Sequence, residues 1–248
     1  MNAQTLLECF AETGRAVRAA VGAIAPADLR ARTDVAGQYA LDLVADAAAL
    51  AVLRKLPVRI VSEESGVHEH PGATITVVLD PVDGSTNCAR GISYWATSIG
   101  ALDGDGALAG LVVNHANGTT TTAVRGEGTR RDDRVVRASG VRAVGDAVIA
   151  LTGVPHHPVG AKQYRVLGCA ALALCDVAAG GLDASIDTGA WHAPWDYLGG
   201  YLACIEAGAV VRDANGDELV TADPAARRQL IAAATPELAE ALTPERSA

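Results

Sequence analysis

The run Leu79-Asp80-Pro81-Val82-Asp83-Gly84-Ser85-Thr86-Asn87 places two carboxylates three residues apart, with Pro and Val between them and a small polar turn behind. Hard divalent cations such as Mg2+ take oxygen ligands at about 2.0–2.1 Å and usually share them with substrate phosphates. Two close carboxylates with an intervening carbonyl suit such an ion, and the free amides and hydroxyls of Gly84, Ser85 and Thr86 suit a phosphate. The same residue types favour a capped turn for purely local reasons, so the run alone leaves both readings open. Two other acidic positions stand at comparable places: Glu63 and Glu64 close the apolar run that ends at Val61, and Asp196 follows Pro194-Trp195 at the start of a helix-like stretch. Alone, a carboxylate at that start can simply complement the helix N-terminus, an effect commonly worth about 0.3–1 kcal/mol.

The elements that must position these groups are legible as periodicity. The apolar run 74–79 reads as a buried strand, and Pro81, which has no N–H to donate, is expected to end its ladder. Asp80 and Asp83 would then sit in a tight connection. Apolar Leu6, Phe10, Val17 and Val21 predict a helix over 5–24, and a second helical pattern covers 42–56, with a loop rich in charge and breakers over 26–38. Strands are expected at 58–61, 96–102, 107–113 and 119–124, with Asp103-Gly104-Asp105-Gly106 as a hairpin turn. The later half reads as strand 147–151, helix 170–179, strand 182–186, helix 195–207 and strand 209–212. There is no internal repeat, and only the stretch 244–248 looks loose.

Composition narrows the class. Half of the 248 residues are apolar, but they are spread as Ala and Val with no uninterrupted run near the length of a membrane span, and no charged-then-apolar leader follows Met1. Cys9, Cys88, Cys169, Cys175 and Cys204 are scattered without CxxC spacing, which reads as reduced core thiols in a cytoplasmic protein. A formal charge of −9 argues against broad contact with nucleic acid, which needs Lys and Arg to displace counterions from phosphates. The basic cluster Arg125, Arg130, Arg131, Arg134 and Arg137 is interleaved with Glu127, Asp132 and Asp133 and reads as a solvated hairpin edge. His68-Glu69-His70 is too closely spaced for the helical HExxH metal arrangement and precedes Pro71-Gly72, so a mobile loop is expected there, as at His156-His157. Lys162, Tyr164 and Arg165 lie where they could meet a second anionic group on a substrate.

Taken in order, Glu63-Glu64, then Asp80 to Asn87, then Trp195-Asp196 followed by small residues and Glu206-Ala207-Gly208, the sequence resembles the inositol monophosphatase family of Mg2+-dependent, lithium-sensitive phosphatases. The likeness covers most of the chain, from Leu6 to the region of Ala234. Cys88 stands where the family usually has an aromatic residue and Leu198 where it usually has a small one; neither change removes a ligand. The resemblance implies an α+β or α/β layered sandwich with alternating α-β-α-β-α layers, an N-terminal half over 1–140, a C-terminal half over 141–248, and the site between them.

It also implies roles. Glu63, Asp80 and the Val82 carbonyl would hold one Mg2+, and Asp80, Asp83 and Asp196 a second, with two or three ions in all and Asp80 bridging; Glu64 would support the ligands from behind. The implied reaction is hydrolysis of a phosphate monoester by water without a phosphoenzyme. Glu63, Asp83, Ser85 and a distant Asp would carry the catalysis, and Asp42 is the match for that Asp, with Asp46 as its rival one helical turn on. Gly84, Ser85 and Thr86 would hold the phosphate. Gly168, Cys169 and Ala170, with Asp187, would bind the leaving alcohol, although the interval from Asp187 to Asp196 is longer than the family pattern. Trp191 and His192 in that longer loop could line the alcohol pocket. A small phosphorylated polyol, a homodimer, no nucleic acid and no membrane complete the expectation.

Overall fold

The computed structural model describes residues 1–155 and 159–243. The expectations for His156-His157 and for 244–248 lie outside the described residues. The chain opens with two helices, α1 (Ala3–Gly22) and α2 (Ala40–Leu53). Strands β1 (Arg59–Ser62), β2 (Gly66–His68) and β3 (Thr76–Asp83) follow, then the short helix α3 (Ser85–Arg90). Next come β4 (Ala96–Asp103), β5 (Gly106–Asn114), β6 (Thr120–Val124), β7 (Gly128–Arg131) and β8 (Arg134–Val136). These eight strands form one sheet in the order β2-β1-β3-β4-β5-β6-β7-β8. Five later strands, β9 (Val148–Thr152), β10 (Gln163–Arg165), β11 (Ala184–Asp187), β12 (Val210–Asp213) and β13 (Leu230–Ala233), form a second sheet in the order β10-β9-β11-β13-β12. Helices α4 (Ala170–Ala178), α5 (Pro194–Glu206) and α6 (Pro236–Leu242) complete the chain.

Strand alternation builds the layers. Successive side chains point to opposite faces of a strand, so Ile60, Val77 and Leu79 join Leu6, Phe10, Val17 and Leu53 of α1 and α2 on one side of the first sheet. Val61 and Val78 point the other way, into a cluster with Leu174 of α4, Leu198 and Leu202 of α5, and Ala150 and Ala232 of the second sheet. Beyond the second sheet, Ile149, Ile231 and Ala233 pack on Leu238 and Leu242 of α6. The result is helices, sheet, helices, sheet, helix, the alternating α/β layers that the sequence implies. Burying each large aliphatic or aromatic side chain in these layers contributes about 1.5–3 kcal/mol.

Two expectations change. Pro81 does not end the strand: β3 runs to Asp83, with Asp80 paired to Ser98 and Asp83 to Ala96 across a register shift. The missing N–H is absorbed in a bulge inside the sheet. The stretch expected as a mobile loop at 68–70 is instead tied down. His68 closes β2 and bonds Arg54 at 3.0 Å and Ser65 at 2.7 Å, and Glu69 accepts from Arg59 at 3.0 Å. The basic cluster forms the β7–β8 hairpin at the sheet edge, with Asp132 and Asp133 at positive φ in its turn. Among the described residues no helix is long and apolar enough to cross a membrane.

Candidate active site

The acidic residues of the site reach it from β3, from the end of β1 and from the start of α5, and most are fixed by one oxygen. Asp80 lies in the bulge of β3, fully buried, with Oδ1 accepting the Val82 amide at 2.9 Å. Asp83 ends the same strand, and its Oδ2 accepts the Ala171 amide at 2.6 Å and the Cys169 thiol at 3.1 Å, so it closes the first turn of α4. Asp196 sits in the first turn of α5, where Pro194 opens the helix, and its Oδ2 accepts the Ala193 amide at 2.6 Å. Glu63 follows β1, its amide bonded to Leu79 O at 3.1 Å. Bonds to nearby backbone amides thus fix one oxygen each of Asp80, Asp83 and Asp196 and leave the other without a backbone tie.

Glu63, Asp80 and Asp196 do converge: one carboxylate oxygen from each lies within 4.8 Å of the other two. Asp83 is outside that trio, turned toward α4, yet close enough to act electrostatically on Glu63, Asp80 and Asp196. Burial, then repulsion from Glu63, Asp83 and Asp196, pushes the Asp80 carboxyl well above the usual range. Burial and then Asp196 and Glu64 raise Glu63, whose rim is open to solvent. Asp196 is raised by burial against the opposing effect of His192, and Asp83 by burial against the Ala171 amide. Four carboxylates that resist ionising together form a donor set that a hard divalent cation fits, because they supply the oxygen ligands and such an ion brings the compensating charge. Glu64 stands behind, hydrogen-bonded to Gln38, and burial followed by Asp42 and Asp46 pushes it up to about 7.

The turn after Asp83 depends on Gly84, whose φ of 87° is costly for any other residue. A Cβ there would also stand 3.1 Å from Gly168 O and 3.2 Å from Tyr94 O. The Ser85 hydroxyl donates to Val82 O at 3.1 Å, and Thr86 is exposed, with the Tyr39 hydroxyl 3.4 Å from its own. Asp42 and Asp46 are both buried on α2 but differ in partners. Asp42 Oδ2 accepts the Tyr39 amide at 2.8 Å while Oδ1 has no partner among the described residues. Ser85 lies close enough to Asp42 to favour its ionised form, but burial outweighs this and raises the carboxyl. Asp46 Oδ1 instead accepts the Ser62 hydroxyl at 2.5 Å.

On the alcohol side, Gly168 and Cys169 precede α4, which Ala170 opens. Asp187 ends β11 and is buried; its Oδ2 bonds the His192 ring and accepts the Leu230 amide at 3.0 Å. Burial opposes protonation of His192, but Asp187, Asp196 and Asp83 push its pKa up to about 9. Trp191 is about half exposed and lies across Gly153 and Gly189, where a Cβ would stand 2.2 Å and 2.7 Å from its ring.

Sequence reasoning passed over Asn87. Its amide donates to Tyr94 O and Leu167 O, both at 2.7 Å, joining α3 to the segment ahead of α4. Its place in the Asp80 to Asn87 run was the available signal. Leu198 is accommodated from the other side: Gly100 of β4 leaves the space that it fills.

The inositol monophosphatase family model matches residues 6–248, and the chain belongs to that family, one of Mg2+-dependent phosphomonoesterases. A fructose-1,6-bisphosphatase/inositol-1-monophosphatase of Methanocaldococcus jannaschii is 32% identical over 185 residues, 72% of each chain. Nus factor SuhB of Escherichia coli K12 is 30% identical over 229 residues, 82% of this chain and 84% of the relative. A solved structure described as an inositol monophosphatase-fructose 1,6 bisphosphatase matches with a TM-score of 0.83 at 28% identity, over 95% of this chain and 97% of the other. Extragenic suppressor protein suhB from Bartonella henselae matches with a TM-score of 0.80 at 26% identity, over 98% and 100%.

Proposed function

We propose that the chain is a Mg2+-dependent phosphomonoesterase that hydrolyses a small phosphorylated polyol, with an inositol monophosphate as lead substrate. The observation that supports this best is the meeting of Glu63, Asp80 and Asp196 from three separate elements within 4.8 Å. In this reading those residues, with Asp83 and the Val82 carbonyl, hold Mg2+, which supplies Lewis acidity and charge for the phosphate oxygens. The remaining work falls to the chain. The amides of Gly84 and Ser85 and the hydroxyl of Thr86 hold the phosphate. Asp42, which lies beside Ser85 and keeps one buried oxygen without a partner among the described residues, accepts the proton of the attacking water, and burial raises its pKa toward the range a general base needs. Gly168, Cys169 and Ala170, with Asp187 acting through His192, shape the pocket for the leaving alcohol.

A bisphosphorylated sugar such as fructose 1,6-bisphosphate is the nearest alternative, because the M. jannaschii relative carries both activities in its name. Histidinol phosphate and 3′-phosphoadenosine 5′-phosphate are further candidates with the same chemistry. Relatives named Nus factor favour a second reading, a regulatory protein on this scaffold. Phosphate release from a panel of these esters by purified protein with Mg2+ tests the proposal. Turnover of a polyol phosphate is expected, and Asp83→Asn should lower it by more than about 100-fold, beyond the loss usual for a residue that merely supports a ligand. A panel with no turnover favours the regulatory reading, and a folded, fully active Asp83→Asn protein removes the metal assignment.

A further inference from the structure

Behind the metal-facing loop lies a buried polar pair to which the proposed chemistry gives no part. Between the pairings Asp80 with Ser98 and Asp83 with Ala96, two residues of β3, Pro81 and Val82, face the single residue Thr97 of β4. Pro81 has no N–H to return to the ladder, so a side chain must hold the bulge. The Thr97 hydroxyl, fully buried, lies 2.7 Å from Pro81 O and 2.8 Å from His115 Nε2. His115 is 4% exposed, its ring centroid is 4.7 Å from that of Trp95, and its Nδ1 has no partner among the described residues.

Counting protons fixes the direction of the chain. A hydroxyl has one proton to give and lone pairs to receive another. If Thr97 gives its proton to Pro81 O, His115 Nε2 carries a hydrogen and donates to Thr97 Oγ1, and the bare Nδ1 is the single unpartnered atom. In the other tautomer Thr97 donates to Nε2, Pro81 O loses that proton, and an Nδ1–H is buried with no acceptor. The first arrangement orphans one group and the second costs two. Burial, reinforced by Arg18, pushes the His115 pKa down to about 4, so the ring is neutral near pH 7.

We propose that Thr97 and His115 are positioning residues for the metal loop: a neutral Nε2–H imidazole donates to Thr97, and the Thr97 hydroxyl grips the Pro81 carbonyl, which aims the Val82 carbonyl and the Asp83 carboxylate. The inference rests on the metal role given to those two groups under the proposed function. It is tested on the full chain by 15N-detected imidazole spectra and by calorimetric titration with Mg2+. The His115 signals should show protonated Nε2 and bare Nδ1. Thr97→Val should raise the Mg2+ Kd about three- to tenfold, the worth of one hydrogen bond, while Thr97→Ser stays near wild type. A merely structural pair would lower the thermal midpoint in chelator and leave the Mg2+ Kd unchanged, and that result overturns the proposal. So does an Nδ1–H tautomer in the wild-type spectrum, a measurement that needs neither a variant nor phosphatase activity. Wild-type protein that binds no Mg2+ overturns this inference together with the metal reading, whereas Mg2+ binding without ester hydrolysis leaves it to be decided by the Kd of Thr97→Val.

Discussion

Asp42 and Asp46 are the same residue type, four residues apart and both buried on α2, yet their oxygens meet different partners. The spacing alone could not separate them, because both fall on one helix face. What separates them is the end of the helix: Asp42 is the third residue of α2 and gives one oxygen to the Tyr39 amide, leaving the other without a partner among the described residues, whereas Asp46 accepts the Ser62 hydroxyl. If the bare oxygen is the proton acceptor, Asp42→Asn removes its basicity while keeping its shape. Phosphate release should fall about 100-fold or more, the usual worth of a positioned base. The thermal midpoint should hold or rise, because a buried carboxylate with a raised pKa is lost. Asp46→Asn should do the reverse, keeping most of the turnover and losing about 1–2 kcal/mol of stability with the Ser62 bond. Parallel melting and turnover measurements check this, and equal losses of turnover in both variants would refute the assignment.

Among the elements, α5 matters most to the site because it carries Asp196 and lies flat on the first sheet. The flatness comes from paired glycines: Gly100 of β4 faces Gly110 of β5, and Gly199 of α5 rests on both. A Cβ on Gly110 would stand 2.8 Å from Gly199 O, a backbone atom that cannot rotate away. Gly110→Ala should therefore lift α5, cost about 1–3 kcal/mol as overpacking does, and weaken Mg2+ binding through Asp196. A variant of unchanged melting temperature and Mg2+ affinity would show that the helix position is not set there. The element level also shows where the sequence was readable. Helices α1, α2, α4 and α5 declare themselves by apolar spacing or by Pro194 at a helix start. The strands β7, β8 and β10 are only three or four residues long and mostly exposed, so periodicity carries no trace of them. Pro81 misled for a physical reason. It removes a ladder donor whether the strand stops or bulges, and only the Thr97 side chain on the neighbouring strand, whose hydroxyl reaches Pro81 O, shows which happens. The acidic blocks were legible as residues, but their meeting point was not, because it depends on α5 crossing the first sheet.

At the scale of the whole molecule, the cluster gives metal-free protein a distinctive dependence on pH. A carboxyl whose folded pKa is raised holds its proton in the folded state where the unfolded chain has released it, so stability falls as pH rises toward the folded value. Glu64, moved from 4.5 to about 7, and Glu63, Asp80, Asp83 and Asp196, all displaced upward, contribute in this sense. His192, raised from 6.5 to about 9, adds stability that is complete below 6.5 and is lost as pH climbs through 9. His115 has the opposite sign: lowered from 6.5 to about 4, it contributes stability above 6.5 that is lost as pH falls. Above pH 6.5 His115 is neutral in both states, so the downward trend of the other groups stands alone there. In chelator, the thermal midpoint should decline from pH 6.5 to 9, each kcal/mol lost lowering it by about 2–4 °C in a chain of this size. If Mg2+ binds the ionised carboxylates and not the unfolded chain, as proposed, millimolar Mg2+ should raise the midpoint most at the alkaline end and leave only the shallower slope due to His192. A midpoint that is flat or rising across this range in chelator, or one that Mg2+ shifts equally at every pH, would mean that the four carboxylates do not share one ion-binding centre.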